Sequence, residues 1–153
     1  MIRVENTRGA FCLWSRRDGL TVDQQLQIIR RLALDLHLGV EVVGMPIVRE
    51  SDGLAMSSRN AYLSPPERTR ALALSRGLEA ARARWAAGER GADALRDAVR
   101  AELRAAEVRE DYVELVDPAT LEPLSRAEQA DARLLVAGFV GKTRLIDNTA
   151  IGC

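Results

Sequence analysis

Histidine, lysine and cysteine are nearly absent from this chain of 153 residues: His37, Lys142, Cys12 and Cys153 are the whole supply. With one histidine there is no ligand spacing for a metal, and His37, at the end of an expected helix, reads as a structural or exposed residue. Two cysteines near opposite ends read as free thiols of a reducing compartment. No stretch of about 18 apolar residues occurs, so no membrane-spanning helix is expected. The opening "MIRVENTRGAFCLWSRRDGL" has early charges but no long apolar centre, and is not read as a signal peptide. A cytoplasmic protein is expected.

Excess charge of either sign is also lacking. The 22 basic residues balance 22 acidic ones. That excludes a chain-wide electrostatic grip on nucleic acid or anionic membrane, while a local basic pocket stays open. All but one of the basic residues are arginines, a skew that fits a GC-rich coding sequence. It leaves arginine as the group available for bidentate phosphate contacts. A hydrophobic content of 47% with 29% charged residues describes a globular chain of one domain, or one and a half small ones.

What is present sorts into two kinds of material. Residues 1–20 show no clear period. Residues 23–37, "DQQLQIIRRLALDLH", predict a helix with Leu26, Ile29, Ala33 and Leu36 on one stripe, widened by Ile28 and Leu32. Asp23 suits its start and Gly39 a left-handed residue past its end. Val40–Val48, "VEVVGMPIV", is short, β-branched and almost wholly apolar, as a strand covered on both faces would be. Helix then strand predicts the second half of a βαβ unit, whose first strand would lie before residue 20.

Residues 49–63 predict a loop. Ser64-Pro65-Pro66-Glu67 is a capping box with proline at the first turn, so a helix should start there and run to about Ala87. Gly88 and Gly91 break the chain, and a second helix is expected over Ala92–Ala106 with Leu95, Val99 and Leu103 inward. "DYVELVD", "ARLLVAGFV" and "TRLIDNTAI" predict three strands, the last two joined by a Gly141-Lys142 hairpin turn. "LSRAEQADA" suggests a turn or short helical piece. The fold class expected is therefore α/β material followed by an α+β domain, helices packed on a three-stranded antiparallel sheet.

Two stretches invite a phosphate. "GFVGKT" resembles a phosphate loop, but Val136 stands where that loop needs glycine and the next residues are strand-like, so a hairpin turn explains it. "DGLAMSSRN" is different. Asp52-Gly53 makes a tight turn, Ser57 and Ser58 offer hydroxyls and N–H groups, and Arg59 offers a forked cation. Such a loop suits an anion; a plain surface turn capping the next helix is the alternative.

"VVGMPIVRESDGLAMSSRNAYLSPPERTRALALSRGL" resembles the pantothenate synthetase, or pantoate–β-alanine ligase, family, and the likeness continues through "DPATLEPL" and "RLLVAGFVGKTRLIDN". It covers about Gln24 to the C-terminus and is most specific over Gly53–Leu63. The resemblance implies a Rossmann-like nucleotidyltransferase domain followed by a smaller α+β domain that closes over the site. It implies ATP with Mg²⁺, adenylation of pantoate, and attack of β-alanine on the pantoyl adenylate. Gln25 would bind pantoate. Val48 would contact ATP, and Met56, Ser57, Ser58 and Arg59 would form the loop on its phosphates, with Ser57, Ser58 and Arg59 acting catalytically. The implied partners are these small molecules, not nucleic acid or membrane, and homo-oligomerisation stays open.

The departures matter equally. The family's His-x-Gly-His motif is absent. Where Gly-Glu-Lys-Asp is expected before Gln24-Gln25, this chain has Gly19, Leu20, Thr21 and Val22. Residues 1–22 do not share the likeness. The expected layout is an atypical stretch 1–22, a nucleotidyltransferase remnant 23–47 and a lid domain 48–153, as a truncated gene, a frameshift or an altered start would produce. Two readings follow: a ligase of this family, or a fragment or docking module that no longer turns over substrate.

Overall fold

The computed structural model describes residues 2–6, 9–13, 22–128 and 132–152. They form two compact units, Met1–Val48 and Arg49–Cys153. The expectation of free thiols lies outside what is described: Cys153 is outside the described residues, and Cys12 is described only as backbone of a strand.

In the first unit, β1 (Ile2–Asn6) and β2 (Gly9–Leu13) make an antiparallel hairpin. The other edge of β1 pairs antiparallel with β3 (Glu41–Gly44), giving the order β2-β1-β3. This differs from the parallel pairing expected of a βαβ unit. β3 is also only part of the expected strand Val40–Val48, since Pro46 has no N–H for a ladder. Nor is it covered on both faces: Val42 is buried while Glu41 and Gly44 are exposed.

Helix α1 (Val22–Asp35) forms near its expected bounds, with Leu26, Ile29 and Ala33 of the expected stripe half-buried and Leu36 past its end. Leu26 packs so close to β3 that a Cβ on Gly44 would stand 2.8 Å from its Cδ2, and Arg30 Nε donates to the Val42 carbonyl at 3.2 Å. Gly39 is left-handed past the end as expected, at φ 59°, but the closing bonds are made two residues earlier, at His37. The Leu38 N–H bonds to the Ala33 carbonyl (3.0 Å) and the His37 N–H to the Leu34 carbonyl (3.1 Å), with His37 left-handed at φ 48°. This double bond pattern satisfies the last carbonyls at the cost of holding a non-glycine residue in the left-handed region. His37 is exposed, as are Ile28, Leu32, Leu34, Leu36 and Leu38.

The second unit is the α+β layer. Helix α2 (Pro65–Ala71) starts at the expected capping box: the Glu67 carboxylate accepts from the Ser64 N–H at 2.9 Å and from its hydroxyl at 2.7 Å. The single helix expected to run to about Ala87 is instead two. At Leu72 ψ opens to −15°, its N–H bonds back to the Arg70 carbonyl, and its own carbonyl accepts from the Ser75 hydroxyl at 3.0 Å. Helix α3 (Ala73–Ala86) then continues, and α4 (Ala92–Ala105) follows the glycine break. The helices meet at Gly77, where an added Cβ would lie 3.0 Å from Val99 Cα, so a larger residue would push the helices apart by a few tenths of an ångström.

Strands β4 (Arg109–Val116), β5 (Ala132–Val140) and β6 (Thr143–Ile151) form one antiparallel sheet in that order. Gly141-Lys142 joins Val140 to Thr143 as a two-residue turn, with Gly141 at φ 58°. Positive φ at the first turn residue is what glycine supplies in such hairpins. Leu74, Leu78, Leu95, Val99 and Leu103 from α3 and α4 bury against Val113, Leu115, Leu134, Val136 and Ile151. Each such side chain contributes roughly 1.5–3 kcal/mol of burial. In the segment "LSRAEQADA", residues 124–128 hold an isolated bridge from Arg126 to Gly91 and no helix, and residues 129–131 lie outside the description.

Candidate anion site on the Arg49–Asn60 loop

The loop begins as a miniature hairpin. Arg49 bridges Ala55, the Glu50 N–H bonds to the Leu54 carbonyl at 2.8 Å, and Gly53 takes φ 92° at the tip. Asp52 Oδ1 accepts from the Leu54 N–H at 3.2 Å, the side-chain turn that an Asp-Gly pair favours. Leu54 plugs into the core.

Beyond it, Ser57 is extended at φ −153° and caps a 3₁₀ turn over Ser58–Tyr62, its Oγ accepting from the Arg59 N–H at 3.2 Å. A hydroxyl that accepts there keeps its own proton for donation. Asn60 is buried beneath the turn and donates to Glu50 Oε1 at 2.6 Å and to the Ala55 carbonyl at 3.0 Å. The other Glu50 oxygen takes Arg68 Nη2 at 2.5 Å, and Arg68 Nε reaches Asp52 Oδ2 at 2.8 Å. One guanidinium thus ties both carboxylates of the hairpin to α2.

These bonds hold the loop's acids in their charged forms. The Asn60 amide, then Arg68, brings Glu50 below the usual carboxylate value. The Leu54 N–H, with help from Arg68, lowers Asp52, and the two carboxylates raise Arg68 in turn.

A second tie runs to the sheet. Arg49 grips Asp147 of β6 with both nitrogens, at 2.7 and 3.1 Å, and also donates to the Gly53 carbonyl at 3.0 Å. The Asp147 side chain is only 2% exposed. Burial pushes its carboxyl up, opposed by the guanidinium and by the Asn148 N–H at 2.8 Å. Sequence reasoning missed this pair. The available signal was a carboxylate inside the apolar run of "TRLIDNTAI".

The 3₁₀ turn faces an open cleft of about 760 Å³ lined by Arg59, Tyr62, Glu67, Gly141, Lys142, Thr143 and Arg144. Of the residues singled out from sequence, Arg59 lines this cleft. Met56 and Ser58 are exposed on the same loop, and Ser57 is half-buried as its cap. Gln25, half-buried on α1, and Val48, exposed after β3, belong to the first unit. The contribution of Lys142 to Arg144 was not anticipated, because the fold, not the local sequence, carries the β5–β6 turn to this place.

A loop that presents an arginine and paired serines from a doubly anchored hairpin suits a phosphate-bearing ligand. The family model described as Pantoate-beta-alanine ligase matches residues 19–150. The chain belongs to this family. It is 66% identical over 130 residues to the pantothenate synthetase of Myxococcus xanthus, covering 84% of this chain and 44% of that protein. It is 58% identical over 142 residues to that of Anaeromyxobacter dehalogenans, covering 93% and 47%. The chain therefore spans about half the length of the curated relatives it matches. A crystal structure of pantothenate synthetase from Thermus thermophilus superposes with a TM-score of 0.79 at 47% identity, over 85% of this chain and 47% of that one. A pantoate-beta-alanine ligase from Francisella tularensis, solved with beta-gamma ATP and beta-alanine, shares the fold at a TM-score of 0.57 and 22% identity, over 85% and 41%. No helix among the described residues is long and apolar enough to cross a membrane.

Proposed function

We propose that this chain supplies the nucleotide-gripping loop and closing domain of an ATP-dependent pantoate–β-alanine ligase. The observation that carries this is the placing of Arg59 on a braced loop at an open cleft, in a chain of this family. In the reaction so proposed, a pantoate carboxylate oxygen attacks the α-phosphorus of ATP, and the bond to the bridging oxygen breaks to release pyrophosphate. The β-alanine amine then attacks the acyl carbon of the pantoyl adenylate, releasing AMP and forming pantothenate.

Ser57 and Ser58 would donate to phosphate oxygens, and Arg59 would hold the charge that gathers as pyrophosphate leaves. Met56 and Val48 would border the nucleotide, and Gln25 would orient pantoate from a Rossmann-like first domain to which residues 23–47 belong. Mg²⁺ would arrive as the counterion of the ATP phosphates, since no group of three or more His, Cys, Asp or Glu that could hold a metal occurs among the described residues.

A second reading has its own support. The 153 residues carry one histidine, and Leu20-Thr21-Val22 stands where the family resemblance implies Glu-Lys-Asp. Losing one preorganised group at a transition-state charge costs ~10²–10³ in rate, and several are missing from these residues together. The chain alone is therefore expected to form no pantothenate above background.

Residues 23–150 grafted in place of their counterpart in the Myxococcus xanthus relative should restore ATP-dependent pantothenate formation. A folded but inactive graft would contradict the first reading. Turnover by the chain alone would contradict the second.

A further inference from the structure

The cleft has a cation whose role the loop does not explain. Lys142 is the chain's single lysine. It sits on the tight turn between β5 and β6, exposed, and lines the same cleft as Arg59. The other charges around it are engaged. Arg144 gives Nε and Nη2 to Asp111 at 2.9 and 2.7 Å, and Asp111 stands at the bulge where the β4–β5 register shifts. Glu67 gives Oε2 to both bonds of the α2 capping box, while its Oε1 faces Gly141. Lys142 makes no hydrogen bond or ion pair with any described residue.

The turn lies close to the first turn of α2. Gly141 stands so near Glu67 that a Cβ there would fall 2.3 Å from Oε1, the end of a movable side chain, and its φ of 58° favours glycine. The next residue, the lysine, lines the cleft and is exposed. An ammonium with three donors and no acceptor among the described residues, lining the same cleft as a guanidinium, is a complement to a ligand carrying several negative oxygens. The phosphate-loop-like letters "GFVGKT" thus place a lysine at an anion site without a phosphate loop: the flanking elements are strands.

We propose that Lys142, with Arg59, binds the polyphosphate chain of the ligand, Arg59 as a fork on one side and Lys142 as a point charge on the other. This rests on the reading of the Met56–Arg59 loop as a phosphate grip and adds a second, independently placed element to it.

The test is calorimetric titration of the full chain with inorganic pyrophosphate, at low salt and again at higher ionic strength. Lys142→Met is expected to weaken binding roughly tenfold, the scale of one charge-assisted hydrogen bond in a partly solvated site, and to flatten the salt dependence. Lys142→Arg should keep most of the affinity, and Arg104→Ala, an exposed arginine outside the cleft lining, should leave it unchanged.

Lys142→Met binding like the parent while Arg59→Ala is weakened would overturn the role of Lys142 and leave the loop reading standing. Equal weakening by Arg104→Ala, or a Lys142→Arg variant as weak as Lys142→Met, would also overturn it. Parent-like binding by both Lys142→Met and Arg59→Ala, or no binding by the parent chain, would overturn both.

Discussion

Arg49→Ala is expected to lower the unfolding free energy of the second unit by roughly 3 kcal/mol. The reason is asymmetric. Asp147 is 2% exposed and Arg49 34% exposed. Removing the guanidinium strands a buried carboxylate with the Asn148 N–H as its remaining hydrogen-bond donor. Breaking a buried pair from one side costs about 3–5 kcal/mol, and the half-exposed arginine places this pair at the low end.

Asp147→Ala should cost less, because the arginine left behind can turn to water. Urea titration followed by Trp85 fluorescence in a Trp14→Phe background reports this unit alone. Trp85 is fixed by its Nε1 bond to the Ala127 carbonyl at 3.1 Å and lies 4.3 Å from the Arg90 guanidinium. If Arg49→Ala and Asp147→Ala unfold at the parent's midpoint, the loop is not anchored through the sheet as described.

The second large effect is on turnover. In the active graft, Arg59→Ala should lower kcat for pantothenate formation by ~10²–10³. Arg59→Lys should recover part of that loss, since an ammonium restores the charge but not the two-pronged geometry. The unfolding midpoint, measured on both variants, separates a loss of turnover from a loss of fold. A change confined to KM for ATP would mean that Arg59 binds the ground state and transition state alike.

The legible parts of the fold were those set by neighbours in sequence. The Ser64–Glu67 capping box, the glycine break before Ala92, the three β-rich runs and the Gly141-Lys142 turn are all local signals, and each produced the element expected of it. Pairing choices were not legible in this way. The apolar letters of "VEVVG" fit a buried parallel strand as well as the antiparallel edge that β3 is, because what decides is the partner, here β1. The break at Leu72 depends on a hydroxyl three residues on competing for a backbone carbonyl, while the apolar stripe runs across it undisturbed. Gly39 is left-handed as its letter predicted, but His37 takes that conformation too and makes the bonds that close α1.

The same division holds at the site. The chemistry of "MSSRN" could be named from its side chains alone. What holds it could not. Glu50, Asn60 and Arg68 meet through a turn, and Asp147 is 98 residues from the arginine it binds. The cleft itself exists only because the β5–β6 turn and the 3₁₀ turn share one end of the second unit.

The account's central claim is that Met56–Arg59 grips a polyphosphate. Amide NMR spectra of the isotopically labelled chain, recorded while inorganic pyrophosphate is added, test it most directly. The account predicts saturable shifts at residues 56–60 and 141–144, with the rest of the second unit unmoved. Shifts that miss residues 56–60 while moving other surfaces, or no saturable shift anywhere, would contradict it.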